Sequence, residues 1–197
     1  SELVKSTLNK AASTTLDAVN VTGDKDLTIT TALSFLGDDG TAIDGTLDAS
    51  AFTGKLTAGV SATSTVSVKG GTGDDTFKFA GTLTKNDVVT GGEGTDTLTM
   101  TAVTAGGLDK QFTNVSGIET VAFDAYASAA EMDVSKLSAG VTTVQLDPKD
   151  TAGGDTTLTT STVKNLGSQT VVIKKTTDDG ADSDNNDGVE VKITAAT

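Results

Sequence analysis

Short runs alternating apolar and polar residues recur along the whole chain, each bounded by polar, turn-forming stretches. The clearest are Leu27-Thr28-Ile29-Thr30, Gly45-Thr46-Leu47-Asp48-Ala49, Val66-Ser67-Val68-Lys69, Asp87-Val88-Val89-Thr90, Glu119-Thr120-Val121-Ala122-Phe123, Thr142-Thr143-Val144-Gln145-Leu146, Thr170-Val171-Val172-Ile173-Lys174 and Val189-Glu190-Val191-Lys192-Ile193. A period of two is the signature of a strand with one buried face. The runs lie about 20 to 30 residues apart, which is solenoid spacing and longer than a hairpin needs. The pattern therefore predicts an all-β chain, a parallel β-solenoid or β-roll-like coil that continues into a further β-rich segment. Its turn dipeptides also fit an antiparallel sandwich.

Helical periodicity is scarce. Glu2 to Leu16, with Leu3, Val4, Leu8 and Ala12 apolar, predicts a short N-terminal helix, and Ala129 to Val134 another turn or two. Turn-rich stretches such as Gly37-Asp38-Asp39-Gly40 separate the strand runs, and the single proline, Pro148, falls in a polar loop. A soft change of composition near Asn114 to Gly117 divides a glycine-rich part, 1–115, from a Val/Thr-rich part, 116–197, which continues the coil or forms a small β-rich domain.

Composition sharpens this picture. Aromatic residues make up 4% of the chain and Trp is absent, so large rings do not build the core. Phe35, Phe52, Phe79, Phe112 and Phe123 read as packing residues rather than a ligand platform. The net charge is −13 and every basic residue is Lys. Without arginine forks or a positive patch, nucleic acid is not an expected partner. An acidic surface suits a divalent cation, although acidity also serves plain solubility. There is no His and no Cys, which leaves only carboxylates for acid–base chemistry. These sit in turns among Gly and Asn, so the chain reads as a non-enzyme. No run approaches the roughly 20 apolar residues of a membrane span. No signal peptide opens the chain, and Ser1-Glu2-Leu3-Val4-Lys5 reads as an arbitrary cut in something longer.

Two nine-residue stretches meet every specified position of G-G-x-G-x-D-x-U-x, where U is a large apolar residue. They are Gly70-Gly71-Thr72-Gly73-Asp74-Asp75-Thr76-Phe77-Lys78 and Gly91-Gly92-Glu93-Gly94-Thr95-Asp96-Thr97-Leu98-Thr99. This is a calcium-binding nonapeptide pattern. Calcium takes six to eight oxygen ligands and accepts carbonyls beside carboxylates. Glycines let the backbone curl so that several carbonyls converge, the sixth-position Asp adds charge, and Phe77 or Leu98 opens a strand and turns inward. Candidate calcium ligands are therefore Gly70, Gly71, Thr72, Gly73 and Asp75 in the first turn, and Gly91, Gly92, Glu93, Gly94 and Asp96 in the second. The bland alternative is a pair of glycine turns. Asp182-Ser183-Asp184-Asn185-Asn186-Asp187-Gly188, inside the acidic stretch Asp178 to Asp187, approaches an EF-hand opening. Its Gly comes one position late, and Ile193 stands where the closing Glu belongs. Asp24-Lys25-Asp26 and Asp38-Asp39 read as ordinary turn residues.

These nonapeptides, with Asp48-Ala49-Ser50-Ala51-Phe52-Thr53-Gly54 and Val115-Ser116-Gly117-Ile118-Glu119-Thr120-Val121, resemble RTX-type surface-layer proteins of Gram-negative bacteria over roughly residues 20 to 125. Regular RTX repeats place turns of one edge about 18 residues apart. Here the step from Gly70 to Gly91 is 21 residues, so the rung is longer and a long calcium-rich roll is excluded. The resemblance implies type I secretion, folding outside the cell on meeting calcium, and packing into a two-dimensional lattice at the bacterial surface. Its implied partners are further copies of itself, other domains of the parent chain, and a cell-surface polysaccharide held by regions outside this fragment. A stalk module of a secreted adhesin or exoenzyme would use the same motif.

Overall fold

A computed structural model of the protein describes residues 18–35, 43–62, 65–79, 83–100, 111–126, 131–148, 159–174 and 189–195. In chain order its strands are β1 (Ala18–Gly23), β2 (Leu27–Phe35), β3 (Ile43–Phe52), β4 (Leu56–Ala62), β5 (Thr65–Lys69), β6 (Thr76–Phe79), β7 (Val88–Thr90), β8 (Thr97–Met100), β9 (Val115–Ser116), β10 (Thr120–Tyr126), β11 (Glu131–Asp133), β12 (Thr143–Pro148), β13 (Thr159–Leu166), β14 (Thr170–Ile173) and β15 (Val189–Ala195). Even-numbered strands form one seven-stranded sheet, in the order β14-β12-β10-β8-β6-β4-β2. Odd-numbered strands form two shorter sheets, β1-β3-β5-β7-β9 and β11-β13-β15.

Every pairing among the described residues is parallel and joins a strand to the one two further along the chain, the step from β9 to β11 alone being unpaired. A parallel neighbour cannot be reached by a tight hairpin, so the chain must cross and return. Here it crosses to the facing sheet each time, and that path is a β-solenoid. The sandwich alternative is thereby removed. The seven-stranded sheet also runs through Asn114 to Gly117 without a break, since β8, β10 and β12 pair in sequence.

All eight strand runs read from the sequence lie within or overlap strands. The turn of helix expected over Ala129 to Val134 does not form over its described residues, 131–134. Glu131–Asp133 is strand β11, followed by one 3-10 turn over Val134–Lys136. The reason is local: Met132 and Val134 alternate with Asp133 and are both buried, a strand period that outweighs the helix-forming Ala and Glu. Asp133 then caps the turn, its carboxylate accepting from the Ser135 backbone N–H at 3.1 Å and from Asn165 Nδ2 at 2.9 Å. Pro148 is the last residue of β12 rather than a loop residue, at a strand terminus where no further ladder donor is required of it. The expected N-terminal helix, the Gly37 to Gly40 turn and the acidic stretch Asp178 to Asp187 lie outside the described residues.

Register stacks like on like. One inward column of the long sheet runs Ile29, Ala58, Phe77, Leu98, Val121, Val144, Val171. The next runs Leu33, Val60, Phe79, Met100, Phe123, Leu146, Ile173. Val19, Leu47, Val68, Val89 and Val115 face them from the first odd-numbered sheet, and Met132 and Val163 from the second; all of these odd-sheet residues are buried. Between the two inward columns lies an outward position, and before the first lies another occupied only by threonine: Thr28, Thr57, Thr76, Thr97, Thr120, Thr143 and Thr170. Cross-strand Thr pairs of this kind each add a few tenths of a kcal/mol, and β-branching suits the pleated surface.

The register predicts how the core responds to truncation. Phe77 has no exposed surface, so Phe77→Ala should lower unfolding free energy by about 3–5 kcal/mol in urea titration. Val172, on the same sheet but 39% exposed, should lose no more than about 0.5 kcal/mol on change to Ser.

Candidate functional site

One edge of the solenoid carries every turn that leads from an odd-numbered strand into the long sheet. Between β1 and β2, β3 and β4, and β9 and β10 these turns are three residues long. Between β5 and β6 and between β7 and β8 they are six, residues 70–75 and 91–96. These two are the nonapeptide turns, and the structure stacks one directly on the other. A Cβ built on Gly70 would overlap the Gly91 carbonyl oxygen, and one on Gly92 the Gly71 carbonyl oxygen. The Glu93 N–H donates to the Gly71 carbonyl at 3.0 Å, so the parallel ladder continues through the turns. Likewise Gly70 N–H reaches the Thr90 carbonyl at 2.8 Å, and Thr72 N–H the Phe52 carbonyl at 3.0 Å at the end of β3 below.

The ten candidate ligands thus share one patch of one edge. Gly70, Gly71, Gly91 and the two aspartates are buried there, whereas Thr72, Gly92, Glu93 and Gly94 are exposed and Gly73 is half-buried. Asp75 and Asp96 have no exposed surface. Both are held by backbone N–H groups. Asp75 Oδ1 accepts from Leu56 N–H and Oδ2 from Gly71 N–H, each at 2.8 Å. Asp96 Oδ1 accepts from Asp75 N–H at 2.7 Å. One rung further, Glu119 Oε2 accepts from Asp96 N–H at 2.8 Å. Each acid therefore satisfies a backbone donor on the rung before it, at a corner where the chain leaves one sheet for the other. An unmet buried N–H there would cost about 1–3 kcal/mol, and bonds to a charged acceptor are the stronger kind.

The two turns share a motif but not a conformation. Gly92 and Gly94 have φ of 119° and 105°, values that only glycine adopts freely; their counterparts Gly71 and Gly73 do not take positive φ. In the first turn the Gly71 N–H points at its own aspartate. In the second the equivalent bond is missing, and Asp96 Oδ2 is a fully buried oxygen with no hydrogen-bond partner. Its carboxyl is pushed up to about 7. Burial is the main cause; the Asp75 N–H opposes it, while the charges of Asp75, Glu119 and Asp74 add to it.

Among the described residues no three acidic side chains converge on one point. The donor set on this edge is nevertheless all oxygen: carboxylates in a column, with glycine carbonyls between rungs. An orphaned, buried carboxylate oxygen in such a set fits a hard divalent cation. Asp75, with both oxygens already accepting, keeps a further lone pair on each.

Sequence reading took in Asp75 and Asp96 but missed the wider use of acids at corners. Asp26 Oδ1 accepts from Lys55 N–H at 3.0 Å, so it is more than an ordinary turn residue. Asp74 Oδ1 accepts from Thr95 N–H at 2.8 Å. On the opposite edge Asp87, 1% exposed, holds Val66 N–H at 2.9 Å and Thr84 N–H at 2.6 Å. A signal was present: Asp26, Asp75, Asp87, Asp96 and Glu119 each stand immediately before the first residue of a strand.

No protein-family model matches the chain, and neither a curated protein nor a solved structure is similar to it. Among the described residues no helix is long and apolar enough to cross a membrane.

The buried carboxylate sets a pH dependence in the cation-free protein. Folded Asp96 keeps its proton up to about pH 7, whereas unfolded it releases it near 3.8, the ordinary value. Between those values the folded state binds more protons, so stability must fall as pH rises and level off above about 7. Urea midpoints measured in chelator from pH 4 to 8 should show this decline, and Asp96→Asn should flatten it.

Proposed function

We propose that this chain is a calcium-dependent structural building block of a bacterial surface layer, exported by type I secretion and self-assembling into a lattice at the cell surface. The observation that carries the calcium part is the direct stacking of the two nonapeptide turns on one edge of a parallel solenoid. The surface-layer part rests on the resemblance of the two nonapeptides and the flanking segments.

The residues that would hold calcium are Asp75 and Asp96 with carbonyls of Gly70, Gly71, Thr72, Gly73, Gly91, Gly92, Glu93 and Gly94. When bound, the ion supplies positive charge between stacked carboxylates and ties neighbouring rungs together. What the chain's own residues contribute is the corner geometry: acids anchored by backbone N–H groups, and glycines that admit close approach of one turn to the next. Because such a site exists only in the folded coil, calcium binding adds directly to folding free energy. A chain that leaves the cell unfolded would then gain its final stability outside, where calcium is abundant.

Assembly fits the ends of the coil. Val172 and Ile173, 39% and 51% exposed, lie on β14, the end strand of the long sheet among the described residues. Ile173 belongs to an inward column yet faces water, as a surface awaiting a neighbour would. A stalk module of an adhesin or exoenzyme would show the same calcium response without assembly.

Calcium at a hundred times its dissociation constant should stabilise the fold by about 2.7 kcal/mol, raising Tm by roughly 5–10 °C. Asp96→Asn keeps the acceptor for Asp75 N–H and removes the charge, and combined with Asp75→Asn, which keeps one of its two acceptors, should abolish that rise. Thermal melts by circular dichroism and particle size by light scattering, read in the same titration, test both parts. Larger particles at the calcium step support a lattice protein; stabilisation of a monomer favours the stalk; no calcium effect on the wild type overturns the reading.

A further inference from the structure

The sequence places a calcium ion between the two nonapeptides, but the unmet oxygen lies one rung away. At the lower step, where Gly70 to Asp75 meets Gly91, the Asp75 carboxylate is satisfied on both oxygens. At the upper step, where Gly91 to Asp96 meets the short turn Gly117-Ile118-Glu119, Asp96 Oδ2 is buried and unpartnered. Position and neighbours are fixed by Gly91. A Cβ there would overlap both Asp96 Oδ2 and the Gly117 carbonyl oxygen, just as one on Gly70 would crowd Asp75 Oδ2 and the Gly91 carbonyl oxygen; the two steps share this close approach, and only at the upper one is the aspartate oxygen unpartnered. A buried carboxylate oxygen without a donor is costly unless something positive meets it.

We propose that the principal cation seat is this upper step, with Glu119 as a ligand-bearing residue alongside Asp96 and the Gly117 carbonyl. The inference rests on the calcium reading above and adds to it a rung that carries no nonapeptide. Glu119 occupies the same register column as Asp75 and Asp96. Its turn is three residues long rather than six, and the extra methylene of Glu over Asp lets Oε2 still reach back to Asp96 N–H at 2.8 Å. That bond fixes the carboxylate beside the orphan oxygen and leaves Oε1 to the ion. Gly117, with φ of 59°, holds the left-handed conformation of that turn. Oxygen ligands at about 2.3 to 2.6 Å from a calcium ion would draw on Asp96, Glu119 and the Gly117 carbonyl, with water completing the six to eight. The lower step then serves as the strut that holds the second turn in place.

Calcium titration calorimetry on the full chain, with Glu119→Gln, Asp96→Asn and Asp75→Asn beside the wild type, separates the two steps. Gln at 119 keeps an acceptor for Asp96 N–H, so the corner is preserved while the charge is lost. Glu119→Gln and Asp96→Asn should each weaken calcium binding tenfold or more, and Asp75→Asn by about threefold at most. Equal loss in Asp75→Asn and Asp96→Asn with Glu119→Gln unchanged would move the seat back between the nonapeptides, overturning this inference while leaving the calcium reading intact. A wild type that binds no calcium removes both. Should a variant fail to fold, a crystal structure of the wild type grown with calcium decides independently: an ion touching Glu119 supports the upper step, and one touching Asp75 but not Glu119 refutes it.

Discussion

A chain that turns a corner inside its own wall must find partners for backbone N–H groups that neither sheet can satisfy, and this solenoid finds them in carboxylates. Leu56 N–H rests on Asp75, Asp75 N–H on Asp96 and Asp96 N–H on Glu119. The arrangement gives the strong hydrogen bonds of a charged acceptor, and it fixes register because each acid reaches one particular rung. It also lines up negative charge along one edge at the spacing of adjacent strands, about 4.8 Å. Geometry that solves the hydrogen-bonding problem creates an electrostatic one, which in the cation-free protein shows as a proton held on Asp96.

Much of this architecture could be read from the chain. Period-two runs marked the strands because inward columns are filled by Val, Leu, Ile and Phe while Thr takes the outward position beside them. The spacing of the runs pointed to coils, and the motif located the two long turns together with the inward placement of Phe77 and Leu98. What escaped was what depends on neighbours far along the sequence. Ala129 to Val134 looked helical because Ala and Glu favour helix locally, yet Met132 and Val134 are claimed by the core. Asp26 read as an ordinary turn residue and Asp87 and Glu119 as the first residues of strand runs, since their place before a strand does not say which N–H, 21 or 23 residues earlier for the last two, they hold. Most instructive are the two nonapeptides. Identical at every defined position, they differ in the φ of two glycines, because one rests on the short turn ending at Lys55 and the other on a copy of itself.

This difference bears on function. In a regular array each turn would have the same neighbours and each aspartate the same surroundings. Here only two long turns are stacked, with short ones on either side, so the column has ends, and the ends are where hydrogen bonding falls out of step. The orphan oxygen on Asp96 is a boundary effect of that kind. A pair of repeats embedded in an irregular coil thereby concentrates its demand for positive charge at a single place.

The two edges of the solenoid also take up different lengths of chain. Successive rungs of the long sheet are 19 to 29 residues apart, yet the turns carrying the carboxylates stay at three or six residues between β1 and β10. Over these rungs the connections on the return side, where the chain leaves the long sheet, run from two residues between β4 and β5 to fourteen between β8 and β9, whereas past β10 the turn between β11 and β12 lengthens to nine. From β1 to β10 one margin of the molecule is thus a ruled seam that measures out the rungs, while the spare length of the chain is spent on the other.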